Sequence, residues 1–85
     1  MKVAITGASS KVGKALASAY CERGFEVINI SRSSGYNFDD RESIIKEIEQ
    51  CDIFVNCLSL GFLQTELLYS IHKLWLGKSK HIINI

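Results

Sequence analysis

Short apolar runs and helix-period stretches alternate along the 85 residues of the chain. Val3-Ala4-Ile5 is the first run and reads as a strand, followed by the small-residue turn Thr6-Gly7-Ala8-Ser9-Ser10. From Lys11 to Arg23 apolar residues recur at Val12, Ala15, Leu16, Ala19 and Tyr20, a spacing that predicts one buried face of a helix. Gly24 stands where a helix is expected to stop. Phe25–Ile30 predicts a second strand, rich in β-branched residues, and Ser31–Gly35 a polar turn. Tyr36–Phe38 is either a rudimentary edge strand or a loop. Asp39 or Asp40 then caps a second helix whose inner face carries Ile44, Ile45 and Ile48. Cys51–Leu58 predicts a third strand, and Phe62–Leu76 a third helix with Leu63, Leu67, Leu68, Ile71, Leu74 and Trp75 on its apolar side. Gly77 ends it, and Lys80–Ile85 is a fourth strand.

Strands that alternate with helices predict an α/β fold with a parallel sheet of about four strands and three helices. Right-handed crossovers favour the order 2-1-3-4, with the first helix on one face and the other two on the opposite face. The direction of winding then reverses between strands one and three, where open α/β sheets bind ligands beyond their carboxyl ends. One helix cannot cover a four-stranded face. The side of strands three and four facing the first helix, and the edge of the last strand, are expected to be bare unless more chain, a second copy or a partner chain covers them.

Composition changes this picture little. An 85-residue chain fits a single domain, residues 1–85, and 47% hydrophobic residues exclude a disordered one. Ten basic and nine acidic residues leave a net charge of +1 without a block of like charge, so nothing drives binding to nucleic acid or to a membrane surface. No apolar stretch approaches the ~20 residues of a membrane span, and no signal peptide is visible. Cys21, Cys51 and Cys57 are an odd number without ligand spacing, which argues against disulfides and zinc and for small apolar cysteines in a reducing cytoplasm. His72 and His81 stand without a partner acid or thiol.

Candidate chemistry lies in the turn after the first strand. Gly7 permits a tight turn and a close ligand approach, and Gly13 allows the helix to pack closely on the sheet. Amides at the start of that helix, with its dipole, favour an anion such as a pyrophosphate. A βα turn shaped by the same glycines without a ligand is the plainer alternative. Lys11 reaches a phosphate or is solvated. Ser9 and Ser10 donate to phosphate or cap the helix.

With Thr6, Gly7 and Gly13 in this position, the chain resembles the short-chain dehydrogenase/reductase family, whose fingerprint near the N-terminus is Thr-Gly followed by two further glycines. Ser10 or, in the alternative register, Lys11 replaces the middle glycine. The resemblance implies the N-terminal, NAD(P)-binding half of a Rossmann-like doubly wound domain, incomplete relative to the full family domain. It implies cofactor contacts from Thr6, Gly7, Ser9, Ser10, Lys11, Val12 and Gly13. Ser31-Arg32 follows the second strand where the family selects its cofactor: an acid there suits NAD, and a basic residue just beyond suits the 2′-phosphate of NADP. Arg32, a planar multidentate donor, makes the chain NADP-leaning, with NAD as the alternative. Asn37-Phe38 resembles the segment flanking the adenine. Asn56-Cys57-Leu58-Ser59 resembles the family's Asn-Asn-Ala-Gly, which puts Asn56, Cys57 and Leu58 beside the cofactor, although Asn56 also suits a structural amide.

In the family a serine and a Tyr-x-x-x-Lys helix follow the strand that Lys80–Ile85 resembles, and the chain ends inside that strand. Tyr69 and Lys73 have the spacing but precede the strand and share a polar helix face, so they are expected to be a solvent-facing pair. No catalytic residue is therefore assigned. The leading expectation is the cofactor-binding part of an oxidoreductase. A non-catalytic dinucleotide-binding module, regulatory or redox-sensing, is a second. A structural α/β subunit using its bare sheet face as an interface is a third.

Overall fold

The computed structural model describes residues 1–7, 11–31, 34–57 and 62–85, without the side chains of residues 62 and 63. Four strands, β1 (Lys2–Thr6), β2 (Glu26–Ile30), β3 (Ile53–Asn56) and β4 (His81–Asn84), alternate with three helices, α1 (Lys11–Glu22), α2 (Arg41–Glu49) and α3 (Phe62–Leu74). All pairings are parallel and the order is β2-β1-β3-β4, as the alternation predicts.

Consecutive residues of each inner strand bury opposite faces because side chains alternate across a sheet. Ala4 and Phe54 pack with Ile44 and Ile48 of α2 and Leu67, Ile71 and Trp75 of α3. Val3, Ile5 and Val55 pack on the other face with Leu16, Ala17 and Tyr20 of α1. This explains the unbroken apolar run of β3: Phe54 and Val55 are both fully enclosed. The bare face is narrower than the sequence suggests, because Val55 is fully buried in the cluster on that side. It lies over β4, where Ile83 and Ile85 stay 39% and 59% exposed.

Several boundaries differ from the sequence reading. The inward face of α1 is Gly13, Leu16, Ala17 and Tyr20, whereas Val12, Ala15 and Ala19 are exposed. Gly13 carries no hydrophobic signal, yet it is the one buried residue among the described residues of α1. α3 stops at Leu74, which is itself exposed, and Trp75 packs inward just beyond it. The third and fourth strands are each four residues long, shorter than their apolar runs. Tyr36–Phe38 forms no strand; Tyr36 and Phe38 pack against the core as loop residues. Asp40, not Asp39, caps α2, its carboxylate accepting from Ser43 N at 3.3 Å. Gly24 and Gly77 take φ of +83° and +76° just past α1 and α3, the left-handed conformation that ends a helix.

The two sheet ends are tied differently. At the amino end Lys80 Nζ donates to Glu49 O near the end of α2 at 2.8 Å and lies 5.0 Å from the Trp75 ring centre. At the other end Arg41 and Glu66 join α2 to α3 through a 2.7 Å ion pair. No described helix is long and apolar enough to cross a membrane.

Candidate functional site

The register gathers three strand ends. Thr6 of β1 stands level with Ile30 of β2 and Asn56 of β3, so the residues following each strand emerge along one edge of the sheet. Gly7, Ser31 and Cys57 are these residues. Gly7 takes φ +70°, a left-handed conformation strained for residues with a side chain, and its N–H donates to Ile30 O at 3.2 Å. Cys57 N donates to Thr6 O at 3.1 Å, extending the β1–β3 ladder by one rung.

α1 starts at Lys11, four residues after Gly7, so its amino terminus follows this edge directly. Its first turn contains no acid that would compete for an anion, and Lys11 and Val12 are exposed there. Gly13 is buried beneath them. The described part of the turn therefore joins left-handed backbone, a helix start and a nearby cation at the carboxyl end of the central strand. Ser9, Ser10, Arg32 and Leu58 lie outside the described residues.

Thr6 and Asn56 serve this edge from within. Both are fully buried. Thr6 Oγ1 donates to Asn56 Oδ1 at 2.7 Å, and Asn56 Nδ2 donates to Gln64 O in the first turn of α3 at 3.0 Å. Gln64 Nε2 in turn donates to Ile85 O at 3.1 Å and lies 3.4 Å from Asn84 Oδ1. One polar chain thus crosses β1, β3, α3 and the end of β4. Asn56 acts here as a structural amide, holding the start of α3 against the strand ends. Its link to Gln64 escaped the sequence reading, because a glutamine near a helix start carries no pattern of its own.

The segment after β2 is also anchored. Ser31 is buried, and Ser34 Oγ accepts from its N–H at 3.0 Å. Asn37 Oδ1 accepts from Asp39 N at 3.0 Å, a local turn that leads to the Asp40 cap. Asn37 is exposed, while Phe38 is half-buried against the core. The sheet edge thus brings together Gly7, Ser31, Cys57 and the α1 start, whereas Asn37 and Phe38 follow farther along the chain, Phe38 packed against the core on the α2–α3 side.

Burial pushes the thiols of Cys51 and Cys57 upward, so both remain protonated at neutral pH. Cys21 is exposed, contrary to the expectation that all three cysteines sit among apolar neighbours. His72 and His81 are exposed. Lys73 Nζ lies 5.3 Å from the centre of the exposed Tyr69 ring, the solvent-facing pair that the spacing suggests. Among the described residues no cluster of histidine, cysteine or acidic side chains could hold a metal.

Away from the strand ends, α3 and the open edge of β4 form an apolar groove of about 380 Å³ lined by Thr65, Leu68, Tyr69, His72 and Ile82. Comparison of the chain with protein-family models, with curated proteins and with solved structures gave no match in any of the three.

Proposed function

We propose that the chain is an NADP-leaning dinucleotide-binding module that resembles the cofactor-binding part of a short-chain dehydrogenase/reductase. The observation that carries this reading is Gly7. Its left-handed backbone ends β1 beside Ile30, one residue from the Ser31-Arg32 pair, and the acid-free start of α1 follows it. A pyrophosphate at this edge would meet helix amides and Lys11 with little side-chain bulk at Gly7. Arg32 supplies the donor for a 2′-phosphate. Thr6 and Asn56 hold the strand ends in position; the adenine-flanking role of Asn37 and Phe38 rests on the family resemblance alone. The assigned role is binding; no catalytic residue is assigned within the chain.

Parallel titrations with NADPH and NADH test this reading, followed through the reduced nicotinamide's fluorescence. Trp75 is a poor reporter, because it lies at the far end of α3 from the strand ends that the cofactor would meet. Saturable binding with NADPH the tighter ligand is expected, and Arg32→Asp should turn the preference toward NADH. Equal loss of both affinities in Arg32→Asp would remove the 2′-phosphate role.

The exposed Ile83 and Ile85 favour a second reading, in which the chain is an α/β subunit that covers the bare face of β4 with a second copy or a partner chain.

A further inference from the structure

The end of α3 and the start of β4 meet at the amino end of the sheet, away from the site described above. A pocket of about 270 Å³ opens there between His72, Trp75, Leu76, Gly77, Lys80 and Ile82. It shares His72 and Ile82 with the apolar groove of about 380 Å³ that runs on past Leu68 and Tyr69. The groove alone has the size of a small-molecule site, roughly 300–1,000 Å³. One continuous depression therefore has a polar end and an apolar end.

Two donors stand at the polar end. Trp75 is 5% exposed, its Nε1 is enclosed, and the N–H has no acceptor among the described residues. An unpaired buried donor is unfavourable, and folded proteins rarely leave one. Lys80 Nζ lies 5.0 Å from the centre of the same ring and donates to Glu49 O at 2.8 Å. An ammonium has three donors, and that bond uses one. Lys73 Nζ stands over Tyr69, Lys78 follows Gly77, and among the described residues no acid lines the pocket or the groove. Asp52, just before β3, turns its carboxylate to Lys2 N at 2.9 Å instead. The carbonyl end of α3 carries about half a negative charge, which the full charges of these lysines outweigh.

We propose that this depression is a second binding site, for a small carboxylic acid with an aliphatic chain. Its carboxylate takes Lys80 Nζ and the Trp75 N–H, and its chain lies along Leu68, Tyr69 and Ile82. The two donors belong to one ring and its neighbouring cation, close enough for the two oxygens of one carboxylate to serve both. Inorganic phosphate would satisfy the donors and leave the groove unfilled. A neutral alcohol would fill the groove and leave the ammonium without its counter-charge. The inference goes beyond the dinucleotide reading and does not depend on it, because the two sites lie at opposite ends of the sheet.

Titration of the whole chain with octanoate tests the proposal, followed by the emission of Trp75, the chain's single tryptophan. Saturable binding is expected, roughly tenfold tighter than that of 1-octanol, with acetate inert at the same concentrations. Lys80→Met keeps the apolar stem and removes the charge. It should weaken octanoate roughly tenfold and leave octanol within about twofold, and Lys80→Arg should restore most of the affinity. Trp75→Phe keeps a ring and removes the N–H. Read through the amide shifts of His72 and Ile82, it should weaken octanoate about fivefold. Leu76 is 64% exposed, so Leu76→Glu sets an opposing charge at the pocket without touching the core, and should weaken octanoate about threefold. Octanol bound as tightly as octanoate would overturn the site, as would unchanged octanoate affinity in Leu76→Glu or in folded Lys80→Met or Trp75→Phe. The absence of saturable octanoate binding would overturn it as well. Octanoate affinity that falls while the protein's mass rises with its concentration would give the groove to a second copy, and overturn the carboxylic acid as its occupant.

Discussion

Thr6 Oγ1 and Asn56 Oδ1 lie 2.7 Å apart inside the sheet, joining two residues 50 positions apart at the carboxyl ends of β1 and β3. The bond is enclosed on all sides, so neither partner can turn to water if the other is lost. Asn56→Ala strips Thr6 of its acceptor and Gln64 O of its donor. A loss of about 2–3 kcal/mol is expected. In a domain of this size that lowers the melting temperature by roughly 10–20 °C. Thr6→Val removes one donor at nearly constant shape and should lose about 1–2 kcal/mol. Thermal melts of the two single variants and the double variant measure their coupling. Strictly additive losses would show that the bond contributes nothing of its own.

Gly7 carries the phosphate reading. Its φ of +70° strains any branched side chain, so Gly7→Val should lose about 1–3 kcal/mol of stability and place two methyls where the ligand approaches. Melts run beside an NADPH titration separate the two effects. A folded Gly7→Val chain with undiminished affinity would remove the turn from the site.

The thiols give a pH dependence with a defined sign. Desolvation raises Cys51 and Cys57 above the ordinary 9.0, and it raises Tyr36 above 10.0, with Glu47 and the Cys51 thiolate adding to that shift. A group whose folded pKa is raised stabilises the fold fully below its unfolded pKa, and that contribution fades as pH climbs through the folded value. Melting temperature should therefore fall from about pH 9 upward, and less steeply in the double variant Cys51→Ala/Cys57→Ala. In the native chain a thiol reagent should label Cys21 quickly and the other two only after unfolding. Rapid labelling of a second cysteine would contradict the burial.

Ile83 tests the interface reading. If its exposed face meets another chain, light scattering of the wild type should show mass rising with concentration, and Ile83→Asp should reduce that rise with only a small change in melting temperature. A wild-type mass fixed at the monomer over the whole range, with no partner bound, would set this reading aside.

How far the sequence carries depends on the range of the interactions. The order of strands was legible because each βα unit is signalled locally: Phe54 and Val55 mark a strand buried on both faces, and Ile44 and Ile48 a helix face. The phase of α1 was not, because Gly13 and Ala17 pack inward with little hydrophobic signal while Val12 points out. The same weakness hides the inner supports of the site. Asn56 is visible as a residue type at a strand end, but its partners are set by the register of β1 on β3 and by where α3 begins. Ser34 looks like any serine in a polar turn until the chain closes on Asn29 and Ser31. Nor does a run of apolar residues show where a strand stops, and β3 and β4 both end short of theirs.

Amide-resolved NMR of the chain during titration with NADPH tests the central claim most directly. The account predicts saturable shifts at Gly7, Lys11, Val12, Gly13, Ser31 and Cys57, with Gly24, Gly77 and Lys78 unmoved. A spectrum unchanged at millimolar NADPH, or one whose shifts gather at Leu68, His72 and Ile82 instead, would contradict it.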